Sequence, residues 1–93
     1  MVADETAELQ ELQRALEQTL LDLYGPVLTG GALSGALGYK TYSGFRQAVL
    51  RKSVSVPVFS LPKRKGRFAL TIDVAHWLAE QRINSQTNMK EAV

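Results

Sequence analysis

Apolar residues recur with helical spacing near both ends of the chain and alternate with polar residues in one short segment between them. In the N-terminal segment the leucines follow one another at intervals of three and four: Leu9, Leu12, Leu16, Leu20 and Leu23. This spacing places them on one face of an amphipathic helix, which Gly25 and Pro26 end. The pattern predicts a helix over residues 1–24. Its leucine stripe serves either packing within the chain or contact with a second copy.

Two shorter helices are predicted next, one that starts at Gly30 within "VLTGGALSGAL" and one over "YSGFRQAVLRK". Thr29 and Thr41 stand at their N-cap positions, and Gly38 ends the first helix because glycine readily takes a positive φ. Apolar spacing points the largest apolar side chains of this segment inward: Leu33, Leu37 and Phe45. The small residues Gly31 and Gly35 suggest close helix packing. Two short helices joined by a tight turn are the helix-turn-helix pattern.

The segment "VSVPVFSL" alternates apolar and polar residues, as a strand does. A polar turn, "PKRKGR", separates it from "RFALTI", so the two are predicted to form a hairpin with a basic tip. Thr71 is then predicted to cap a last helix that ends after Arg82, followed by a flexible tail over 83–93. The predicted fold class is mainly α with a small β-hairpin: a winged helix-turn-helix over 27–82 behind a long N-terminal helix.

Charge is strongly segregated along the chain, although the net charge is only +2. Residues 1–22 carry −5 and residues 73–93 carry −1. Residues 23–72 contain no acid but eight bases: Lys40, Arg46, Arg51, Lys52, Lys63, Arg64, Lys65 and Arg67. Such asymmetry favours a polyanionic partner, with double-stranded DNA the best fit to a helix-turn-helix. The alternative is a solvated basic face balanced by the acidic first helix.

On this hypothesis, the second helix of the motif carries the side chains that read bases. Arg46 and Gln47 suit guanine and adenine in the major groove, and Ser43 adds one contact. Other polar groups of the helix and its N-terminus are assigned to the DNA surface, mainly to phosphates: Lys40, Thr41, Tyr42 and Arg51. The hairpin tip is assigned to phosphates or an adjacent minor groove: Lys63, Arg64, Lys65 and Arg67.

The stretch "LGYKTYSGFRQA" resembles AraC-type helix-turn-helix units over about a dozen residues. The longer order, residues 27–82 ending "DVAHWL", is similar to the small MerR-like and excisionase-like proteins of plasmids and phages. This resemblance implies a winged DNA-binding regulator or a recombination directionality factor. The sequence departs from that pattern in its long N-terminal helix and in "RKSVSV", which lengthens the connection before the wing.

Other function classes find little support in the residues. The chain has no cysteine and one histidine, His76, which with Asp73 supplies too few ligands for a metal site and lacks partners for a catalytic triad. We therefore expect no enzyme activity and no cofactor. The acidic, polar N-terminus and the lack of a long apolar run predict a soluble, cytoplasmic protein without membrane contact. The main alternative function is a protein-interaction module, antitoxin-like or anti-regulator, that uses the leucine stripe.

Overall fold

Helices dominate the structure, a computed structural model that describes the backbone of residues 2–92 and the side chains of residues 7–85. In chain order the described elements are α1 (Val2–Tyr24), β1 (Val27–Thr29), α2 (Gly30–Ala36), α3 (Tyr42–Leu50), β2 (Phe68–Leu70) and α4 (Thr71–Ala92). The mainly α class with a small antiparallel β pairing is confirmed. The two long helices, α1 and α4, pack against each other, and the shorter elements lie between them in the chain.

The sheet joins β1 to β2, which are antiparallel with Leu28 opposite Ala69 and Thr29 opposite Phe68. The prediction that residues 54–58 would form the partner strand is wrong, because none of these residues is in a strand. Pro57 has no N–H for a strand ladder, and Val56 is instead buried in the core. The predicted hairpin is reduced to one bridge, in which Phe59 and Phe68 exchange two backbone hydrogen bonds of 2.8 Å.

The pair of short helices follows the predicted order. Thr41 caps α3, since its side-chain oxygen accepts a hydrogen bond of 3.0 Å from the N–H of Gly44. Gly38 ends the turn after α2 with φ +88°, and α3 ends at Leu50, two residues before the predicted end. The expected close packing at Gly31 and Gly35 is wrong: a Cβ added at either would meet no atom within 4 Å.

One core unites these elements, since β1, α2, α3, β2 and α4 each contribute at least one side chain that is almost fully shielded from solvent. Its buried members are Leu28, Leu33, Leu37, Phe45, Val56, Ala69 and Val74. Leu20 of α1 and both Trp77 and Leu78 of α4 cover it as partly buried neighbours. Burying a side chain of this size contributes roughly 1.5–3 kcal/mol, so the inward placement of Leu33 and Phe45, which was predicted, stabilises the α2–α3 pair.

The N-terminus of α4 is fixed by two hydrogen bonds to the two residues that follow α1. The buried hydroxyl of Thr71 donates to the carbonyl of Gly25 over 2.6 Å, and its N–H donates to the carbonyl of Pro26 over 2.9 Å. Thr71 therefore joins two helices instead of capping one. The predicted end of the last helix at Arg82 is also wrong, because α4 continues to Ala92. Residues 83–92 contain no glycine or proline to stop it.

Candidate nucleic-acid interface

The solvent-facing side of α3 carries a stripe of four side chains: Ser43, Arg46, Gln47 and Leu50. Their spacings of three and four place them on one face of the helix, and all four are exposed. The opposite face is held in the core by Phe45 and Ala48, which are buried. Phe45 also makes aromatic contacts with Tyr39 and Tyr42, at centroid distances of 5.6 and 5.7 Å. The rotation of α3 about its axis is thus set by its buried side.

Residues 60–67, here called the basic loop, connect Phe59 to Phe68 in the chain and lie beside the start of α3. The hydroxyl of Thr29 donates a hydrogen bond of 2.8 Å to the carbonyl of Arg67. Gly66 adopts φ +99°, and a Cβ there would lie 3.7 Å from the Thr29 oxygen and 4.0 Å from the Tyr42 hydroxyl. The bridge at its base and these contacts near its end hold the loop beside α3.

Thr29 therefore has a different role from the predicted one. It occupies the N-cap position of α2 with an extended backbone, but its side chain makes no capping hydrogen bond. The hydroxyl is directed to the basic loop because the β1–β2 pairing brings Phe68, and so Arg67, opposite Thr29. This long-range pairing overrides the local preference of threonine for a cap.

The basic loop and α3 enclose an open cleft of about 630 Å³, which we call the basic cleft. Its wall on α3 is formed by Tyr42, Arg46, Val49 and Leu50, its wall on the loop by Lys65, Gly66 and Arg67, and its floor by Thr29 and Gly30. Three cations thus face one concave surface from two separate elements. A concave surface with one sign of charge concentrates the field and attracts a ligand of the opposite sign.

The cations of the acid-free segment are all solvent-exposed, including those outside the basic cleft. Where side chains are described, none of these bases lies at ion-pair distance from a carboxylate, and the close contact of a basic group with an acid is that of the His76 imidazole with Glu80, 3.3 Å apart on α4. The described acids lie on α1 and α4. The charge segregation seen along the sequence is therefore also a segregation between elements, and the bases remain available to an anionic partner.

The structure brings part of the predicted site together. The predicted residues that line the basic cleft are Tyr42, Arg46, Lys65 and Arg67. The others are exposed but lie outside its lining: Lys40, Thr41, Ser43, Gln47, Arg51, Lys63 and Arg64. The prediction missed the remaining residues of the lining: Thr29, Gly30, Val49, Leu50 and Gly66. The position of Thr29 depends on strand pairing, whereas the helical spacing from Arg46 suffices to place Leu50 on the same face of α3.

Among the described residues, no group of three or more metal-ligating side chains is positioned to hold an ion. The described helices include none that is both long and apolar enough to cross a membrane. In comparisons with known proteins, no family model, no curated protein and no solved structure matches this chain.

Proposed function

We propose that this chain is a sequence-specific double-stranded DNA-binding protein of the winged helix-turn-helix type, acting as a transcriptional regulator or a recombination directionality factor. The observation that carries the proposal is the basic cleft, where Arg46 of α3 and both Lys65 and Arg67 of the basic loop face one surface. No acid lies within residues 23–72 to neutralise it. A phosphate backbone is the ligand that such a surface attracts most strongly.

The order and pairing of the elements support this assignment. The antiparallel β1–β2 pairing places the start of α2 next to the end of the basic loop, and the Phe59–Phe68 bridge closes the base of that loop. A loop anchored in this way beside an exposed helix can serve as a wing. In the proposed complex α3 is the recognition helix and the basic loop contacts backbone phosphates or the adjacent minor groove.

The exposed stripe of α3 has the chemistry that base reading requires. An α-helix is about 10–12 Å across with its side chains, so α3 can lie within a major groove ~12 Å wide. Arg46 can donate two hydrogen bonds to guanine, and Gln47 can bond adenine in two places. Ser43 lies one turn before them and can add a contact. Lys40, Thr41 and Tyr42, around the N-terminus of α3, are assigned to phosphates.

The test is selection of binding sites from a random duplex library, followed by titration of the recovered duplex. Arg46→Ala is expected to weaken binding by about 1–3 kcal/mol and to relax preference at one base pair. Arg14→Ala is the matched control, because Arg14 is an exposed arginine on α1 and lies outside the basic cleft. Equal losses for the two variants would mean that α3 does not read bases.

The competing proposal is a protein-interaction module. Two large apolar side chains at the end of α1 remain exposed, Leu23 at 67% and Tyr24 at 48%, and they offer a surface for a protein partner. A protein binder without DNA affinity would fail to bind any duplex even at ~50 mM salt, where the electrostatic contribution to DNA binding is large. That result would reject the DNA-binding proposal and make Leu23→Ala the next variant to test.

A homodimer through α1 is part of the same proposal. The leucines at 9, 12, 16 and 20 are only partly buried, even though α1 packs against α4, so the stripe retains surface for a second copy. A dimer predicts inverted half-sites in the selected duplexes, about one helical turn or a multiple of it apart. Recovery of a single half-site without its inverted repeat, together with the mass of a monomer by light scattering, would reject the homodimer.

A further inference from the structure

Leu50 is the most exposed large apolar side chain that the structure describes, at 76%. It is not at a remote surface: it lines the basic cleft with Arg46, and it completes the stripe that begins with Ser43. Scattered exposed leucines are common on proteins and need no explanation. An exposed leucine inside a basic surface is different, because a position that faces phosphate would favour a cation or a hydrogen-bond donor.

The major groove offers one apolar group for such a side chain, the C5 methyl of thymine. Every other group on the base edges in that groove is a hydrogen-bond donor or acceptor, or a small C–H. Leu50 also has Val49 beside it in the lining of the cleft, so a methyl group placed there would meet apolar surface. Arg46, which lies nearby on α3, can donate hydrogen bonds to a nearby guanine at the same time.

We propose that Leu50 is a specificity-determining residue that contacts the methyl group of a thymine in the recognised DNA. This inference rests on the proposed function and adds to it a residue and a base. Leu50 follows Arg46 by four positions, which is about one helical turn or ~6 Å along the axis. With α3 lying along the groove and base pairs ~3.4 Å apart, the thymine lies one or two base pairs from the pair that Arg46 contacts.

The experiment removes the methyl group from the DNA and the leucine from the protein, separately and together. Each thymine of the selected duplex is replaced singly by uracil, which lacks the C5 methyl but forms the same base pair. For the wild-type chain, one replacement is expected to weaken binding about fourfold, the effect of one methyl group leaving an apolar contact. For Leu50→Ala the same replacement is expected to have no effect, because the contact is already lost.

Two further variants make the result specific to this side chain. Leu50→Met keeps an apolar side chain and should retain most of the preference for thymine over uracil. Ile72→Ala removes an exposed apolar side chain of α4, outside the basic cleft, and should leave that preference intact. Loss of fold is not an obstacle, since Leu50 is mostly exposed and alanine is the best helix former.

The failures of this inference and of the proposed function are distinguishable. If the wild-type chain binds its site but no uracil replacement weakens binding, Leu50 reads no methyl group, while DNA binding stands. If a replacement weakens the wild-type chain and Leu50→Ala equally, another residue reads that methyl, and the assignment of Leu50 is wrong. Duplex binding without any sequence preference also overturns the assignment of Leu50 as a specificity-determining residue. If the chain binds no duplex at all, the proposed function fails first.

Discussion

Phe45 is the residue that holds α3 in its orientation. Its side chain is fully buried, and the rings of Tyr39 and Tyr42 flank it. Phe45→Ala should therefore destabilise the fold by about 3–5 kcal/mol, the usual cost of emptying such a site. Urea unfolding followed by circular dichroism measures the change. Leu50→Ala on the same helix is the control and should be nearly neutral, so an equal loss for both would show that the helix is rotated.

Thr41 supplies the local signal that starts α3. Because its side chain accepts a hydrogen bond from the N–H of Gly44, Thr41→Ala should reduce the free energy of unfolding by about 1 kcal/mol. Thr19→Ala provides a matched comparison, since Thr19 is exposed within α1 and caps nothing. It should be neutral or slightly stabilising. If Thr19→Ala reduced the free energy of unfolding as much as Thr41→Ala, the loss of a helix cap would not explain the effect at Thr41.

Three threonines were predicted as caps from the sequence, and the structure uses only one in that way. Thr41 has its acceptor role within its own helix, so local sequence was sufficient to predict it. Thr29 and Thr71 instead donate to carbonyls 38 and 46 residues away in the chain. Local sequence does not indicate which distant carbonyl will approach, and these two hydroxyls take part in the connections between elements.

At the scale of elements, the first three helices were predicted well, whereas the end of α4 and the strand partner were not. Helical spacing is a local property, and it gave the positions of α1, α2 and α3 to within about two residues. The strand formed by Phe68–Leu70 was also anticipated, but its partner is Val27–Thr29. Two helices, α2 and α3, separate these strands along the chain. The alternation in residues 54–58 was misleading because Val54, Val56 and Val58 pack toward the core without forming a ladder.

The hydrogen bond between Thr29 and Arg67 holds the basic loop in position. A substitution at Thr29 can therefore change the position of the loop without removing a charge. Thr29→Val keeps the shape of the side chain but removes the hydroxyl. It should weaken DNA binding while leaving the salt dependence unchanged, because no cation is lost.

Lys65→Ala should weaken binding to every sequence and reduce the slope of log K against log salt by about one unit.

Titration of both variants at ~50 and ~200 mM salt, a range over which electrostatic binding changes strongly, distinguishes these effects. Thr19→Val is the control for the threonine substitution and should bind as the wild type does. A changed slope for Thr29→Val would mean that the loop loses its phosphate contacts altogether. An unchanged slope for Lys65→Ala would mean that the basic loop does not meet the backbone.

For the whole molecule, the sequence predicted the chemistry of the site better than its shape. The absence of acids over residues 23–72 is visible without a structure, and it identified the segment of the chain that carries most of the cations. Which cations share a surface depends on the β1–β2 pairing and on Gly66, whose positive φ directs the end of the basic loop toward Tyr42. The sequence thus identified Arg67 as one of these cations, whereas its grouping with Arg46 on one surface required the fold.

The contacts of the long N-terminal helix argue that it belongs to the same folding unit as residues 27–82. Leu20 packs against the common core, and α1 packs against α4. We therefore predict that Leu20→Ala lowers the free energy of unfolding by at least ~1 kcal/mol, consistent with a leucine that is partly buried. Leu23→Ala should change it little, since that side chain is mostly exposed.

A shortened chain of residues 25–93 extends the same argument. Without α1, the partly buried side chains of α4 lose their cover, and a helix in isolation is only marginally stable. The shortened chain should show no cooperative thermal transition by circular dichroism and should lose sequence-specific duplex binding, although α2, α3 and the basic loop are all retained. If it instead unfolds cooperatively at the wild-type temperature, α1 is an independent attachment, and its leucine stripe is then free to bind a second copy or another protein.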